Sequence, residues 1–389
     1  MKSIPLLLLL SLFLFGFEKT IKLQLGGIAY NNYNNEIVTQ GDGRFRFEND
    51  LFITDAKVEF LYSSEYKERR YLLLNELYIT KDYEEYTLRV GKEIKYWGEL
   101  EGYNIADIYN QKNYMKDPFD KNAKYGAIGA DITRYFEENS LEFGVKIYEA
   151  DNDYPQEETP YAPFILQYDA HLHVSDSRYT PTLYIMANIV NDTWLENETK
   201  LILLRGYDTK RYFVPISLTT LAQYAYRVNK ALFLSHIIYN DTLFKTELSY
   251  TDVLHDTQMS DYTQLSFGVE KGFYELFSSD MTVYTEYYRY LYKDDTKIKN
   301  VDISEIYDND IFVALRIALN DVGSSELKTG VLQDINKKER VFKIEGNSRF
   351  FEKFIIHGEY LNISAKTNDT LLSKFDKANR FTLSLEYTF

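Results

Sequence analysis

Apolar and polar residues alternate with a period of two along much of this chain, and the alternation continues to its last residues. Near the carboxyl end, Phe381, Leu383, Leu385 and Tyr387 share one parity, and the intervening positions are polar. A period of two places successive side chains on opposite faces of a β-strand. The pattern therefore predicts an all-β protein. It recurs in the segments 141–147, 164–174, 244–250, 264–270, 311–320 and 342–349.

The length of these segments favours a transmembrane antiparallel β-barrel over a soluble sandwich. They run about 9–11 residues, as transmembrane strands do, whereas soluble strands average about 5–6. Backbone groups in hydrocarbon must be paired within the protein, so such a sheet has to close. The segments predict roughly 16–20 strands, with an even number expected and 18 as the best estimate. The stretch from Leu23 to Phe52 forms either one strand or two.

The connections alternate in length, as they do in transmembrane barrels. Residues 81–85 and 136–139 are predicted to form tight turns, whereas 96–123 and 150–163 are predicted to be long loops. Short turns at one end and long loops at the other are typical of these barrels. A barrel of this width is too large for its wall side chains to fill, so we expect a water-filled lumen.

Composition excludes several other classes of protein. The chain has no cysteine, which rules out a disulfide scaffold and Cys-ligated zinc or iron–sulfur sites. Its formal net charge of −15 argues against nucleic acid as a partner. Phosphate- and dinucleotide-binding motifs are absent, and no cofactor is predicted. The 36 tyrosines and 25 phenylalanines are expected near strand ends, as aromatic girdles at the membrane interface.

The first 17 residues are predicted to be a secretory signal peptide. Lys2 is followed by an apolar run that extends to Phe17. The run is about 14 residues long, shorter than the ~20 that a spanning helix needs, although a transmembrane anchor is the alternative. We therefore predict a signal peptide at 1–17 and a barrel domain at 18–389.

The last strand, which ends in Phe389, resembles the terminal strand of Gram-negative outer-membrane β-barrels. This resemblance implies recognition by the barrel-insertion machinery and a location in the outer membrane of a Gram-negative bacterium, in contact with its lipid. A homotrimer is one assembly that the resemblance leaves open.

Charged residues on the polar parity are predicted to face the lumen, and they carry both signs. The simpler interpretation is a solvated wall whose charges pair across strands. The alternative is a charged constriction that selects solutes by sign. These residues are Arg89, Lys146, Lys245, Glu247, Glu270, Arg316, Lys343, Glu345, Arg349, Arg380 and Glu386.

The most distinctive segment begins Gly91-Lys92-Glu93 and continues through Tyr96-Trp97-Gly98-Glu99. Tyr96 and Trp97 are expected at the outer membrane interface, and Gly98 permits a turn. The segment resembles the Gly-Arg-Gln…Trp-Gly…Asp…Asn-Pro pattern of porin-like barrels related to the alginate-export type. It departs from that pattern at Lys92, where Arg is usual, and at Gln111, where Pro is usual.

This resemblance implies a loop that folds into the lumen. Its residues either shape transport or only stabilise the loop itself. They are Lys92, Trp97, Glu99, Asn104, Asp107 and Asn110.

Asp169, His171 and His173 lie at spacing two on one predicted strand, which makes them a candidate divalent metal site. The alternative is that they are ordinary polar residues of a lumen wall. His173 and Ser175 also resemble the His-x-Ser pair of outer-membrane phospholipases. The Asn partner expected at position 187 is alanine, however, so no enzyme is predicted.

The sequence therefore predicts a porin that passes small hydrophilic solutes or ions by diffusion. Three alternatives stay open: an export barrel for an acidic polymer, a membrane-embedded hydrolase, and a structural barrel with a sealed bore. An export barrel for an acidic polymer needs a strongly positive lumen stripe, which the mixed signs do not provide.

Overall fold

A computed structural model describes residues 18–155, 159–163, 167–191, 196–299, 303–366 and 370–389. The predicted signal peptide lies outside these residues. The strands are β1 (Glu18–Tyr30), β2 (Glu36–Glu48), β3 (Ile53–Ser63), β4 (Tyr71–Asp82), β5 (Tyr86–Glu93), β6 (Ala127–Phe136), β7 (Asn139–Lys146), β8 (Gln167–Val174), β9 (Thr182–Asn191), β10 (Glu196–Tyr207), β11 (Tyr212–Pro215), β12 (Thr220–Ala225), β13 (Arg227–Tyr239), β14 (Thr242–Leu254), β15 (Tyr262–Leu276), β16 (Ser279–Tyr292), β17 (Asn309–Ala318), β18 (Glu326–Asp334), β19 (Glu339–Phe350), β20 (Phe354–Ala365) and β21 (Arg380–Thr388).

Eighteen of these strands form one closed antiparallel barrel, which confirms the predicted fold and the estimated strand number. The ring closes where β1 pairs with β21, with Leu25 opposite Leu385. Leu385 in turn lies opposite Ile356 of β20, so the outward apolar row continues across the closure. The stretch from Leu23 to Phe52 contains two strands, β1 and β2, which pair with each other.

The segment 164–174 is not part of the barrel wall, contrary to the prediction. Its described part, β8, pairs in parallel with β12, which pairs with β11, in a separate three-stranded sheet. In the wall, β7 pairs directly with β9. Alternation alone predicted a wall strand because a small sheet with one buried face shows the same period of two.

The connections divide by length between the two ends of the barrel. At one end the turns are short, as between β13 and β14, where Asn240 and Asp241 have φ of 49° and 54°. Left-handed residues in a two-residue turn match the twist of a β-hairpin, and Asn and Asp tolerate that conformation. The long loops lie at the other end, which we call the outer end by analogy with known barrels. The longest of them span 94–126 and 147–181.

The outward side of the wall is apolar. Exposed large hydrophobic residues occupy every second position on most strands, which suits contact with lipid acyl chains. They include Leu23, Leu25, Leu77, Ile79, Leu88, Val90, Ile128, Ile132, Phe143, Leu201, Leu203, Phe267, Val269, Ile311, Val313, Phe381, Leu383 and Leu385. Within the described ranges, no helix is both long and apolar enough to cross a membrane.

The tyrosines divide between the two sides of the wall. Tyr62, Tyr135 and Tyr250 are exposed, whereas many others are fully buried in the interior. The buried set includes Tyr109, Tyr114, Tyr154, Tyr161, Tyr207, Tyr226, Tyr262 and Tyr288. The aromatic excess therefore serves two purposes, because inward-folded loops also need large amphipathic rings whose hydroxyls find partners.

Candidate functional site

Residues 94–126, here called the crossing loop, run from β5 across the lumen and return to β6. The far wall binds the loop backbone through acidic side chains. Glu286 of β16 accepts hydrogen bonds from the amides of Glu101 (2.7 Å) and Gly102 (2.9 Å). Glu247 of β14 accepts from Glu99 (3.0 Å) and Ile105 (2.8 Å). In the 18-strand ring, β16 lies nearly opposite β5 and β6, so the loop spans the bore.

Side chains of the crossing loop form ion pairs with that wall. Glu99 lies 3.0 Å from Lys200 Nζ and 2.9 Å from His236 Nδ1. Glu101 pairs with Lys328 of β18 and with Lys121 of the loop itself. Burial alone would raise the pKa of Glu101, but these two lysines hold it below its usual value. The loop tip is therefore fixed by charge-assisted contacts.

The base of the loop is held by aromatic packing. Trp97 is 6% exposed, and its ring centroid lies 5.1 Å from that of Tyr184 and 5.8 Å from that of Tyr109. Gly144 opens the space for this cluster, because a Cβ there would lie 2.2 Å from the Tyr184 ring. The expectation that Trp97 sits at the outer membrane interface is therefore wrong. Tyr96 also lies inside the barrel, where it lines the lumen.

Polar residues complete the anchoring near the base. The Asn110 carboxamide accepts from the Lys95 amide and donates to the carbonyls of Glu93 and Tyr125. Lys124 lies 2.6 Å from Asp107, and burial raises the pKa of that carboxyl. Asn104 packs against Gly98; a Cβ atom added at Gly98 would lie 2.5 Å from the Cβ of Asn104. All of these contacts stabilise the loop in its inward position.

Lys92 does not belong to the inward loop, contrary to the prediction. It lies on β5, opposite Leu77 and Ile128, whose side chains face outward. Its ammonium donates to the Leu74 carbonyl at 2.8 Å. The strand continues through Glu93, so Lys92 lies on the same outward face as Val90. Its aliphatic stem lies along the outer surface, as is usual for amphipathic side chains.

Lys95, which no sequence motif singled out, lies at the centre of a buried acidic cluster. Its ammonium lies 3.1 Å from Glu93, 2.9 Å from Asp131 and 3.0 Å from Glu142. These carboxylates come from three strands, so sequence spacing contains no sign of the cluster.

A second inward segment, residues 159–163, places Tyr161 between two arginines. The Arg69 guanidinium carbon lies 4.3 Å from the Tyr161 ring centroid, and that of Arg380 lies 5.4 Å away. Arg69 pairs with Glu36, and Arg380 pairs with Asp117 of the crossing loop at 2.6 Å. The ring and both guanidinium groups are buried, so they narrow this part of the lumen towards the outer end. Tyr161 was not predictable from the sequence, because no residue near it in the chain points to the two arginines.

Beside the crossing loop, an open space with a polar lining remains along β1–β3 and β18–β21, here called the passage. It consists of two cavities of about 390 and 410 Å³, which share Gln24, Gln40, Lys116 and Glu386. Its outer end is the Tyr161 group described above. Seven basic and eight acidic side chains line it: Lys22, Arg44, Lys57, Arg69, Lys116, Lys328 and Arg380, with Asp42, Glu59, Asp117, Asp120, Glu326, Glu345, Glu359 and Glu386.

The predicted lumen charges fall into distinct positions on the inner face. Glu345, Arg380 and Glu386 line the passage, and Lys343 forms ion pairs with Glu345 and Glu359 beside it. Arg89 pairs with Glu93, and Arg316 pairs with Glu326 nearer the short-turn end.

The other predicted lumen charges bind protein groups. Lys146 is buried against Glu149 and the Tyr109 carbonyl, and Lys245 contacts Glu270 and the Glu99 carbonyl. Arg349 donates to the Glu352 carbonyl in the β19–β20 turn.

Asp169, His171 and His173 lie on β8, outside the barrel wall. The imidazole of His173 stacks on Tyr224 at 4.8 Å, and Asp169 accepts the His171 amide. Among the described residues, the groups of three with ligand atoms within 4.8 Å are Glu99–Glu198–His236 and Asp308–Asp310–Asp334. In the first group, Lys200 lies 3.0 and 3.2 Å from the two carboxylates and already supplies a counter-charge.

Comparison with known proteins supports the fold. No family model matches the chain, and no curated protein matches it significantly. Among solved structures, OccK2 (OpdF) of Pseudomonas aeruginosa, in complex with glucuronate, is similar with a TM-score of 0.57 at 9% identity, covering 96% of each chain. The outer membrane protein OpdK of P. aeruginosa has a TM-score of 0.53 at 8% identity, covering 96% of this chain and 99% of its own.

A third similar structure is Wzi of Escherichia coli, an outer membrane protein involved in group 1 capsule assembly and a carbohydrate-binding barrel. Its TM-score is 0.55 at 9% identity, covering 99% of this chain and 86% of Wzi. The chain has the fold of Gram-negative outer-membrane barrels. Together with the apolar outward rows, this agrees with the predicted location in the outer membrane. The finer resemblance to the alginate-export type stays a prediction.

Proposed function

We propose that this barrel is a porin, which passes small hydrophilic solutes by diffusion through the passage. The observation that carries the proposal is the passage itself, an open space with a charged lining between the crossing loop and the β1–β3 and β18–β21 wall. A loop that crosses an 18-strand barrel narrows its bore, and the charges that remain exposed to the water govern which ions pass.

The charges of the passage support a weak preference for ion sign. Basic and acidic side chains are nearly balanced in number, and many are paired with each other. Such a lining does not provide the positive stripe that export of an acidic polymer needs. We therefore expect reversal potentials close to zero in a salt gradient.

Conductance in a planar lipid bilayer tests the proposal. The purified barrel should give discrete channels, and Glu386→Lys should shift the reversal potential towards anion preference, because this side chain lines both cavities of the passage. Glu138→Lys, in the exposed β6–β7 turn, is the matched control and should behave as the wild type. OccK2 was solved with glucuronate, so glucuronate is a suitable first organic solute for current-block measurements. An unchanged reversal potential in folded Glu386→Lys channels would contradict conduction through the passage.

The Tyr161 group favours a second candidate function, a barrel with a sealed bore. The ring fills the gap between Arg69 and Arg380, and both arginines are also bound to carboxylates. A wild-type barrel that is silent, together with a conducting Tyr161→Ala variant, would favour this second candidate over a constitutive porin.

A further inference from the structure

Two buried carboxylates face each other at the outer end of neighbouring strands. Asp310 of β17 and Asp334 of β18 are direct partners in the strand register, and they are 1% and 4% exposed. Like charges directly opposite each other in a sheet repel, and a buried charge is costly without a counter-ion. This pair therefore needs a positive charge or a proton.

A third carboxylate, that of Asp308, lies beside this pair. Asp308 immediately precedes Asn309, the first residue of β17. One oxygen from each of Asp308, Asp310 and Asp334 lies within 4.8 Å of the others. Within the described part of the chain, Lys337 is the one basic side chain within ion-pair distance of this group; it bonds to Asp308 and lies 3.7 Å from Asp334. Three carboxylates and one ammonium leave two negative charges, so the single lysine does not neutralise the group.

Two of the carboxylates have a buried oxygen that is still available. Asp334 accepts the amides of Asn336 and Lys337 through Oδ1, and its Oδ2 accepts no hydrogen bond from the described residues, although the side chain is only 2% exposed. Asp308 Oδ1 is also buried, and no described residue donates a hydrogen bond to it. Backbone donors thus fix the Asp334 carboxylate and leave its second oxygen for a ligand.

The chemistry of the group fits calcium best. A point equidistant from three oxygens that are 4.8 Å apart lies about 2.8 Å from each, so a small inward movement gives the Ca–O distance of about 2.3–2.6 Å. Magnesium requires about 2.0–2.1 Å and near-ideal octahedral geometry, and zinc prefers nitrogen or sulfur ligands. Asp308 is 32% exposed on its side chain, so water can supply further ligands.

We propose that Asp308, Asp310 and Asp334 form a Ca²⁺ site at the outer rim, where the ion displaces the Lys337 ammonium. The site joins the end of the β16–β17 loop to the outer ends of β17 and β18. Tyr307, which precedes Asp308, stacks on Tyr103 of the crossing loop at 4.7 Å and donates to the Gly102 carbonyl at 3.3 Å. Calcium would therefore also stabilise the wall segment to which the tip of the crossing loop is attached.

Terbium luminescence and calorimetry on the detergent-purified, EDTA-treated barrel test this proposal. Tyr307 is adjacent in sequence to a ligand, so it should sensitise Tb³⁺ emission. We expect one saturable site per chain, displacement of Tb³⁺ by Ca²⁺, and Mg²⁺ binding at least about tenfold weaker. Asp334→Asn should weaken Ca²⁺ binding at least about tenfold. Its carboxamide oxygen can still accept the two backbone amides, so this variant is expected to fold.

Two further variants make the test decisive. Lys337→Met keeps all three carboxylates and removes the competing ammonium, so it should bind Ca²⁺ more tightly than the wild type. Asp294→Asn, an exposed acid of the same outer end that lies outside the group, should bind as the wild type. The proposal is overturned if the wild type shows no saturable site, or if Asp334→Asn or Lys337→Met binds with unchanged affinity. It is equally overturned if thermal stability rises with acidification but not with Ca²⁺, since a shared proton would then neutralise the pair.

Discussion

Replacing Glu286 with alanine should release the crossing loop and widen the bore. In the folded barrel this carboxylate accepts the amides of Glu101 and Gly102 and also the Tyr288 hydroxyl. Its side chain is buried, so the two amides lie out of contact with bulk water while the loop stays in place. The substitution leaves both amides without a partner unless the loop moves.

The size of the effect follows from these contacts. A hydrogen bond to a charged group contributes about 1.5–3 kcal/mol, so loss of two favours the released loop by at least about 3 kcal/mol. Each 1.4 kcal/mol is a factor of about ten, which makes the released population about a hundredfold larger. Glu286→Gln should give an intermediate effect, because its carbonyl oxygen still accepts while its amino group opposes the second amide.

Single-channel recording measures this change directly. Glu286→Ala should show a larger mean conductance with more open-state noise than the wild type, on a barrel that keeps its heat-modifiable mobility in gels. Glu138→Ala, in the exposed β6–β7 turn, is the control, because that carboxylate lies outside the passage and away from the crossing loop. If Glu286→Ala channels match the wild type in conductance and noise, the crossing loop is not the constriction and the reasoning fails.

Three other changes give equally direct expectations. Tyr161→Ala removes two cation–π contacts of about 0.5–2 kcal/mol each, so conductance should rise; an unchanged current would show that the ring does not limit flow. Gly144→Ala places a Cβ 2.2 Å from the Tyr184 ring and should lower barrel stability by about 1–3 kcal/mol, whereas Gly27→Ala, with no atom within 4 Å, should leave the unfolding midpoint unchanged. Burial favours the neutral form of Glu101, but its two lysine partners hold its pKa below the usual value. Its ion pairs therefore stabilise the loop above about pH 4 and are lost as the pH falls below that. Recordings from pH 7 to pH 3 should show current noise that increases only at the acidic end.

Most of the wall was predictable from the sequence, because its physical cause is local. Each strand alternates between lipid and interior, so a period of two in Leu383 and Leu385 already predicts which side chains face outward. Closure follows from the requirement that every backbone group in hydrocarbon be paired. The same rule failed for β8, because alternation shows that one face is buried but not which surface covers it.

The interior was much less predictable. The Trp97-Gly98-Glu99 pattern indicated an inward loop, yet Trp97 packs on Tyr184 of β9 and not at the membrane interface. Lys92, next to that pattern, faces outward because the register of β5 continues past Gly91. A residue's side of the wall depends on the strand pairing, which a motif does not specify.

The amino-acid sequence by itself determined a barrel with apolar rows outside and mixed charges inside, since hydrophobic periodicity acts residue by residue along each strand. Only the tertiary structure decided which charges remain in contact with the lumen water. Glu247 and Lys245 are taken up by contacts with the crossing loop, whereas Glu345 and Glu386 line the passage. The physical reason is that these roles depend on contacts between residues far apart in the chain, such as Glu101 with Glu286, and those contacts exist only once the barrel has closed around the loop.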